Sequence, residues 1–305
     1  MAMLDTGASN LVITTYDTAG NASRAAARAV DDGNRLMLGP LLPANVARVA
    51  GEARVANVPV VSFSGEPGNA VGDIFLMGQS TEQSVSRVVR YARANGARRF
   101  AALVPEGEYG QRAVSALRMA VSDFGGSIID IETYDKGNTS IRSAAQRILR
   151  PGTVDAVLMA DGPRFTILGA EALGSTGPRI MGTELWSGRG EFADAPALRG
   201  ATFAAVSDER FGDFVQSYRQ RFGATPYRIS VLGYDAVLLT LRVAQDWPSG
   251  APFPTQALRS EAGFLGLDGP FRFGADGMAQ RSMEVREVRD GRIVVVDPAP
   301  RTFGG

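Results

Sequence analysis

The sequence predicts an α/β protein of two lobes, each a doubly wound parallel sheet, joined by a hinge that the chain crosses three times. Three observations carry this prediction. Short apolar runs stop repeatedly at small or polar residues: Leu36-Met-Leu-Gly-Pro40, Val60-Val-Ser-Phe-Ser-Gly65, Ala101-Ala-Leu-Val-Pro-Glu106, Ala156-Val-Leu-Met-Ala-Asp161 and Ile180-Met-Gly-Thr-Glu184. Strand ends of this kind open onto the crevice where α/β proteins bind ligands. The segments between them carry apolar residues at helical spacing, as in Val85, Val88, Val89 and Ala92. The length, 305 residues, exceeds the size at which one hydrophobic core keeps growing.

Taken in order, Met1–Asp5 reads as the tail of a helix and Leu11–Tyr16 as a β-rich strand ending at Asp17-Thr18. In a parallel α/β sheet a strand normally precedes such a helix, so a first strand and any export signal are expected upstream. An Ala-rich helix over 22–32 is stopped by Gly33. A buried strand at 36–38, a helix at 45–55, a strand at 58–63 and a short strand at 74–77 complete the first series. Ser80 or Thr81 caps the next helix, which ends at Gly96. The second series has strands at 100–104, 127–133, 156–159 and 179–181, with helices at 111–124, 140–148 and 165–173. A strand at 201–206 and helices at 211–222 and 229–245 follow; apolar residues surround much of the latter, which marks it as buried. The end of the chain is different: Gly269–Gly277 reads as a hairpin arm and turn, and 282–288 with 292–296 alternate about Asp290-Gly291, a hairpin signal. The implied lobes are 1–78 plus 208–262 and 79–207 plus 263–305, with crossings near Gly78–Ser80, Ala205–Asp208 and Gly263–Asp268.

Composition excludes several functions. The chain has no Cys and no His, so Ser-His-Asp triads, Cys nucleophiles and His- or Cys-based metal sites are ruled out; no cofactor or metal is expected. Basic and acidic residues balance at 32 each, which offers no surplus for nucleic acid or an anionic membrane. Lys136 is the only lysine and lies in a polar loop, where a Ser-Lys pairing is not expected. No run reaches the ~20 apolar residues of a membrane span.

Leu38-Gly39-Pro40, Val58-Pro-Val-Val-Ser62, Glu108-Tyr-Gly110, Met181-Gly-Thr-Glu184, Gly233-Tyr-Asp-Ala236 and Gly266–Phe273, in this order and spacing, resemble the type I periplasmic binding-protein fold, similar to the Leu/Ile/Val-binding proteins. The segment Gly39-Pro-Leu-Leu-x-x-Asn-Val46 resembles one branch in particular, the LpoA-type lipoproteins that activate penicillin-binding proteins. The resemblance implies a periplasmic, non-catalytic receptor with a small polar ligand, an amino acid or a cell-wall fragment, gripped between the lobes. Glu184 then matches the partner of a ligand ammonium and Tyr109 a wall residue. Where the amino-acid binders carry first-lobe hydroxyl donors, this chain reads Leu41-Leu42-Pro43, which has no side-chain donor for a carboxylate. This departure favours the activator branch over an ordinary amino-acid receptor.

The candidate ligand-binding residues are Gly39, Leu41, Leu42, Ser62, Ser64, Gly65, Gln79, Tyr109, Asp161, Glu184, Trp186 and Ser207. Glu184 offers a carboxylate to a cation or hydroxyl, and Trp186 a stacking face. The Ser64 hydroxyl and Gly65 N–H make an oxygen-binding pair. Each has a plainer alternative: Trp186 as core filler, Ser62 and Ser64 as turn formers, Asp161 as a helix cap. Three functions remain open. The chain is a peptidoglycan-synthase activator or the solute receptor of an amino-acid ABC permease; it is an interaction protein with a vestigial cleft; or it is an enzyme working with carboxylates alone. Membrane attachment is expected only through an upstream lipid anchor.

Overall fold

The computed structural model describes residues 1–150, 153–248 and 250–303. The chain divides into two compact units: Met1–Ser80 with Ser207–Ser282 and the chain from Arg301 on, and Thr81–Val206 with Met283–Pro300.

The first unit holds helices α1 (Ala2–Thr6), α2 (Ala22–Asp31) and α3 (Pro43–Val55) and strands β1 (Met37–Leu38), β2 (Val60–Ser62) and β3 (Ile74–Leu76). The three strands pair in parallel in the order β1-β2-β3. Period-two alternation sends Val60, Ile74 and Leu76 to one face, against Ala22, Ala26, Val46 and Val49 of α2 and α3. Val61, Phe75 and Met77 go to the other face, into a core with Leu232, Ala236 and Leu239. Asn21 caps α2 by accepting the Arg24 N–H, and Pro43 starts α3 where a missing N–H costs nothing.

The second unit is a seven-stranded sheet. In chain order it comprises α4 (Thr81–Ala94), β4 (Arg99–Pro105), α5 (Glu108–Phe124), β5 (Ser127–Tyr134), α6 (Ser140–Ile148), β6 (Ala156–Met159), α7 (Pro163–Leu173), β7 (Arg179–Gly182) and β8 (Thr202–Ala205). The chain then passes through α8 (Glu209–Phe222), α9 (Ser230–Ala244), β9 (Phe264–Gly266), β10 (Gly269–Phe273) and β11 (Ala279–Arg281) of the first unit. It returns with β12 (Glu284–Arg289) and β13 (Arg292–Asp297). The sheet order is β13-β12-β8-β7-β6-β4-β5, parallel from β8 to β5, with β12 and β13 added antiparallel. Ala101, Leu103, Val157 and Met159 face α6 and α7; Phe100, Ala102, Val104 and Leu158 face α4 and α5. Both faces are covered, as a parallel sheet requires.

Two expectations are revised. Segment 11–16, read as a strand, has no regular secondary structure. Its residues favour β-structure, but no described strand pairs with them, and strand propensity without a partner does not make a strand. Segment 263–282, assigned on the sequence to the second lobe, packs in the first unit. Phe271, Phe273 and Ala279 join Phe75, Leu239 and Leu258 in one core, so the chain leaves the first unit after Ser282.

Candidate functional site

The parallel strands of the second unit deliver a polar cluster at their carboxyl ends. Beyond β4, Gly107 takes a positive φ and α5 begins at once, with Tyr109 in its first turn. Gly110 sits so close to the Pro105 carbonyl oxygen that any Cβ would collide with it. This glycine therefore lets α5 start tight against the strand and fixes where Tyr109 stands. Beyond β7 comes Thr183, whose hydroxyl accepts the Leu185 N–H at 3.4 Å and caps a short 3₁₀ turn, Glu184–Trp186. Thr81 is the first residue of α4.

These pieces converge on one oxygen. Glu184 Oε1 accepts the Thr81 hydroxyl at 2.8 Å and the Tyr109 hydroxyl at 3.0 Å. Tyr109 Oη also lies 2.8 Å from Thr183 Oγ1. A phenol has one hydrogen, so with Tyr109 donating to Glu184, Thr183 donates to Tyr109. Burial raises the Glu184 pKa above the usual glutamate range, while the Thr81 and Tyr109 hydrogen bonds pull the other way. Burial, then the Glu184 charge, pushes the Tyr109 phenol up, so it remains a donor. The other oxygen, Oε2, is buried and has no hydrogen-bond partner among the described residues. A buried acceptor left without a donor is costly. One more donor, neutral or cationic, would complete this carboxylate.

Other sequence candidates divide clearly. Trp186 is not a stacking face: it is fully buried, stacked on Phe192 with centroids 4.3 Å apart and tilted against Phe203. Its indole also lies where a Cβ on Gly182 would be, so ring and glycine fix each other. Asp161 belongs to a separate cluster. It accepts the Tyr134 hydroxyl and Lys136 Nζ at 2.8 Å each and its neighbour Gly162 N–H at 2.7 Å, where α7 begins. Lys136 is thereby held in an ion pair.

In the first unit, Ser62 donates to the Pro40 carbonyl at 2.8 Å and accepts the Ser64 N–H at 3.1 Å, both fully inside the protein. Ser64 accepts the Glu66 N–H at 3.1 Å. Both serines form turns, so the proposed Ser64–Gly65 oxygen pair is at least half engaged internally. Gly65 presses on the backbone of half-buried Gln79, and Gly78 on that of Gly65 and Ser64; neither site has room for a Cβ. Gly39, at the end of β1, has φ 103° beside the Phe63 ring. Leu41 and Leu42 are exposed, at 42% and 61%, and Leu42 stands just before α3 in extended conformation. The Ser207 hydroxyl accepts the Glu209 N–H at 3.3 Å, ahead of α8. The sequence reading missed Thr81 and Thr183 as site residues, although both stood in segments already singled out, one as a helix cap and one beside Glu184.

A family model described as periplasmic binding protein matches residues 7–292. The chain belongs to the periplasmic binding protein family. Solved structures of similar fold include a Rhodospirillum rubrum protein assigned to branched-chain amino acid ABC transport, 21% identical, with TM-score 0.82 over 93% of this chain and 88% of that one. A leucine-binding protein of Thermotoga maritima is 21% identical, with TM-score 0.68 over 90% and 82%. A Rhodopseudomonas palustris ABC-transporter solute-binding protein, solved with benzoate, is 17% identical, with TM-score 0.71 over 100% and 92%. Among curated proteins, an uncharacterised Rickettsia prowazekii protein is 23% identical over 150 residues, 48% of this chain and 40% of that relative's length. The α/β architecture with parallel sheets is thus that of the type I periplasmic binding proteins.

Proposed function

We propose that this protein is a non-catalytic periplasmic receptor whose ligand donates an ammonium or another N–H or O–H group to Glu184. The observation that carries the reading is the buried Glu184 Oε2, without a donor among the described residues, on a carboxylate whose other oxygen is held by Thr81 and Tyr109. A cation there would stabilise the charged carboxylate that burial disfavours. No covalent step is needed for this chemistry.

The relatives' ligands, leucine and benzoate by their descriptions, divide on this point. An amino acid brings an ammonium; benzoate brings none. Glu184 favours the amine-bearing class, including amino acids and the amine-bearing peptides of cell-wall fragments. The activator reading, in which the chain contacts a peptidoglycan synthase, is supported by Leu41, Leu42 and Pro43, which offer a ligand carboxylate no side-chain donor. Native mass spectrometry of the purified protein, followed by thermal-shift titration with L-leucine, benzoate and a muropeptide, tests the proposal. A shift from an amine-bearing ligand supports it. Capture of a synthase with no shift from any of the three favours the contact role instead.

A further inference from the structure

The seven-stranded sheet of the second unit ends differently on its two sides. At one edge β5 pairs with β4 alone, and the edge is blunted. The register slips between Phe100 and Ala101, the Asp130 carboxylate accepts the Ile131 N–H at 2.8 Å, and Glu132 follows, held by Arg147 at 2.8 Å. At the other edge β13 pairs with β12 alone and reads Arg292-Ile-Val-Val-Val-Asp297. Val288 of β12 donates its N–H to the Ala201 carbonyl at 2.9 Å and accepts the Gly200 N–H at 2.8 Å, both on the β8 side. Ile293, opposite Val288 in the ladder, is therefore not bonded to it. Antiparallel alternation turns the N–H and C=O of Ile293, and of Val295 two residues on, away from β12. No described strand lies beyond them. Val295 is 51% exposed, and Ile293, Val294 and Val296 are half-buried. The strand is firmly held all the same. Asp290 and Gly291, with φ 51° and 74°, make the tight turn that leads into it. Arg87 of α4 donates to the Met283 carbonyl at 2.9 Å and pairs with Asp297 at 2.8 Å.

We propose that β13 is an interface between two copies of this chain: the strands pair antiparallel across a twofold axis and join the two sheets edge to edge. Charge selects this partner and this direction. The strand begins with a cation, Arg292, and ends with a carboxylate, Asp297, whose side chain is 42% exposed beside Arg87. Antiparallel pairing of two copies brings each end to the opposite charge, whereas parallel pairing sets like charges together. The register follows from the outward-turned residues. Ile293 faces Val295 of the second copy and Val295 faces its Ile293, about four hydrogen bonds in all, and Val294 meets its own counterpart on the axis, as an isologous contact requires. Slipping the pairing either way sets one of the outward residues against the Gly291 turn or against Asp297, whose carbonyl already accepts from Arg87 at 3.4 Å. The dimer answers a row of apolar residues and bare backbone groups that otherwise invites uncontrolled edge-to-edge association.

The chain has no cysteine, so one introduced thiol reports the contact. On the axis, Val294→Cys places two Cα atoms about 4.5 Å apart, within the span of a disulfide. Under mild oxidation this variant is expected to form a linked dimer at least tenfold faster than Met119→Cys, a control at a half-exposed position of α5. Equal rates in the two variants overturn the proposal. Wild type is followed in parallel by sedimentation velocity, which should show a dimer that Val295→Lys weakens at least tenfold. A wild type that stays monomeric up to about 100 μM overturns the proposal, as does a dimer that Val295→Lys leaves intact. Should the variants not fold, wild-type amide exchange decides. Exchange at Ile293 and Val295 is expected to slow at least tenfold from low to high protein concentration, and exchange that does not change with concentration overturns the proposal.

Discussion

At Glu184 a single side chain combines burial, two donors on one oxygen and a second oxygen with no partner among the described residues. Tyr109→Phe removes one donor from Oε1, and the Glu184 pKa should rise further because a hydrogen bond to the charged form is lost. The variant should lose about 1–3 kcal/mol in urea unfolding; wild-type stability would show that Tyr109 is not seated as described. Asp235 is a second buried acid, with Oδ1 accepting the Leu267 N–H at 2.8 Å. Burial raises its pKa from 3.8 to about 6, against the pull of the Leu267 N–H and of Arg281. The native state therefore holds this proton more tightly than the unfolded chain. The associated stability is complete below about pH 4 and is lost as pH rises through 6. A shift of this size corresponds to about 3 kcal/mol. Asp235→Asn keeps the acceptor for Leu267 and should remove that decline, so the variant gains on wild type by about 2–3 kcal/mol between pH 4 and pH 7 in urea titrations. A constant difference across that range would contradict the assignment.

Among elements, the loops after β2 and β3 meet backbone on backbone. Gly65 and Gly78 meet there without room for any Cβ, and Gly78 N–H bonds the Ser64 carbonyl at 3.0 Å. Gly65→Ala should cost about 2–4 kcal/mol, read by chemical unfolding, whereas Gly51→Ala in α3, where nothing lies within 4 Å, should be neutral or stabilising. Much at this scale was legible in sequence. The apolar runs at 100–104, 156–159 and 179–181 became β4, β6 and β7, because a buried parallel strand writes itself as a continuous apolar run. Segment 11–16 carries the same writing and is not a strand, because pairing is decided by a neighbour that residues 11–16 do not encode. Trp186 shows the corresponding limit at the site. Its position after a strand end is the same whether the ring faces a ligand or Phe192, and only packing chooses. The hydroxyls of Thr81 and Thr183 were hidden for the opposite reason: threonine at a helix start or before a turn already has an ordinary explanation.

For the whole molecule, the absence of histidine simplifies pH behaviour. With no imidazole in the chain, shifted carboxyls such as Asp235 are the side chains placed to change charge between pH 5 and 7. The two units should differ in acid. Asp155 of the second unit is held down to about 2 by Arg99, helped by the N–H groups of Arg98 and Arg99. Its contribution, complete above about pH 4, is lost as pH falls through 2 and amounts to about 1 kcal/mol for a pair so close to solvent. Asp155→Asn should therefore be less stable than wild type at pH 5 and equal to it at pH 1.5, with hydrogen exchange showing the loss around β4 and β6. The boundary between units was only partly legible. The crossings near residues 80 and 206 fall where the strand-helix series breaks, but β9–β11 look like the start of the final meander, and only their aromatic core with Phe75 assigns them to the first unit.

The most direct test is calorimetric titration of wild type and Glu184→Gln, side by side, with L-leucine, benzoate and an amine-bearing muropeptide. Receptor function through Glu184 predicts that an amine-bearing ligand binds wild type and loses at least tenfold in affinity to the glutamine variant. Equal affinity in both proteins, or tightest binding of benzoate, would contradict it.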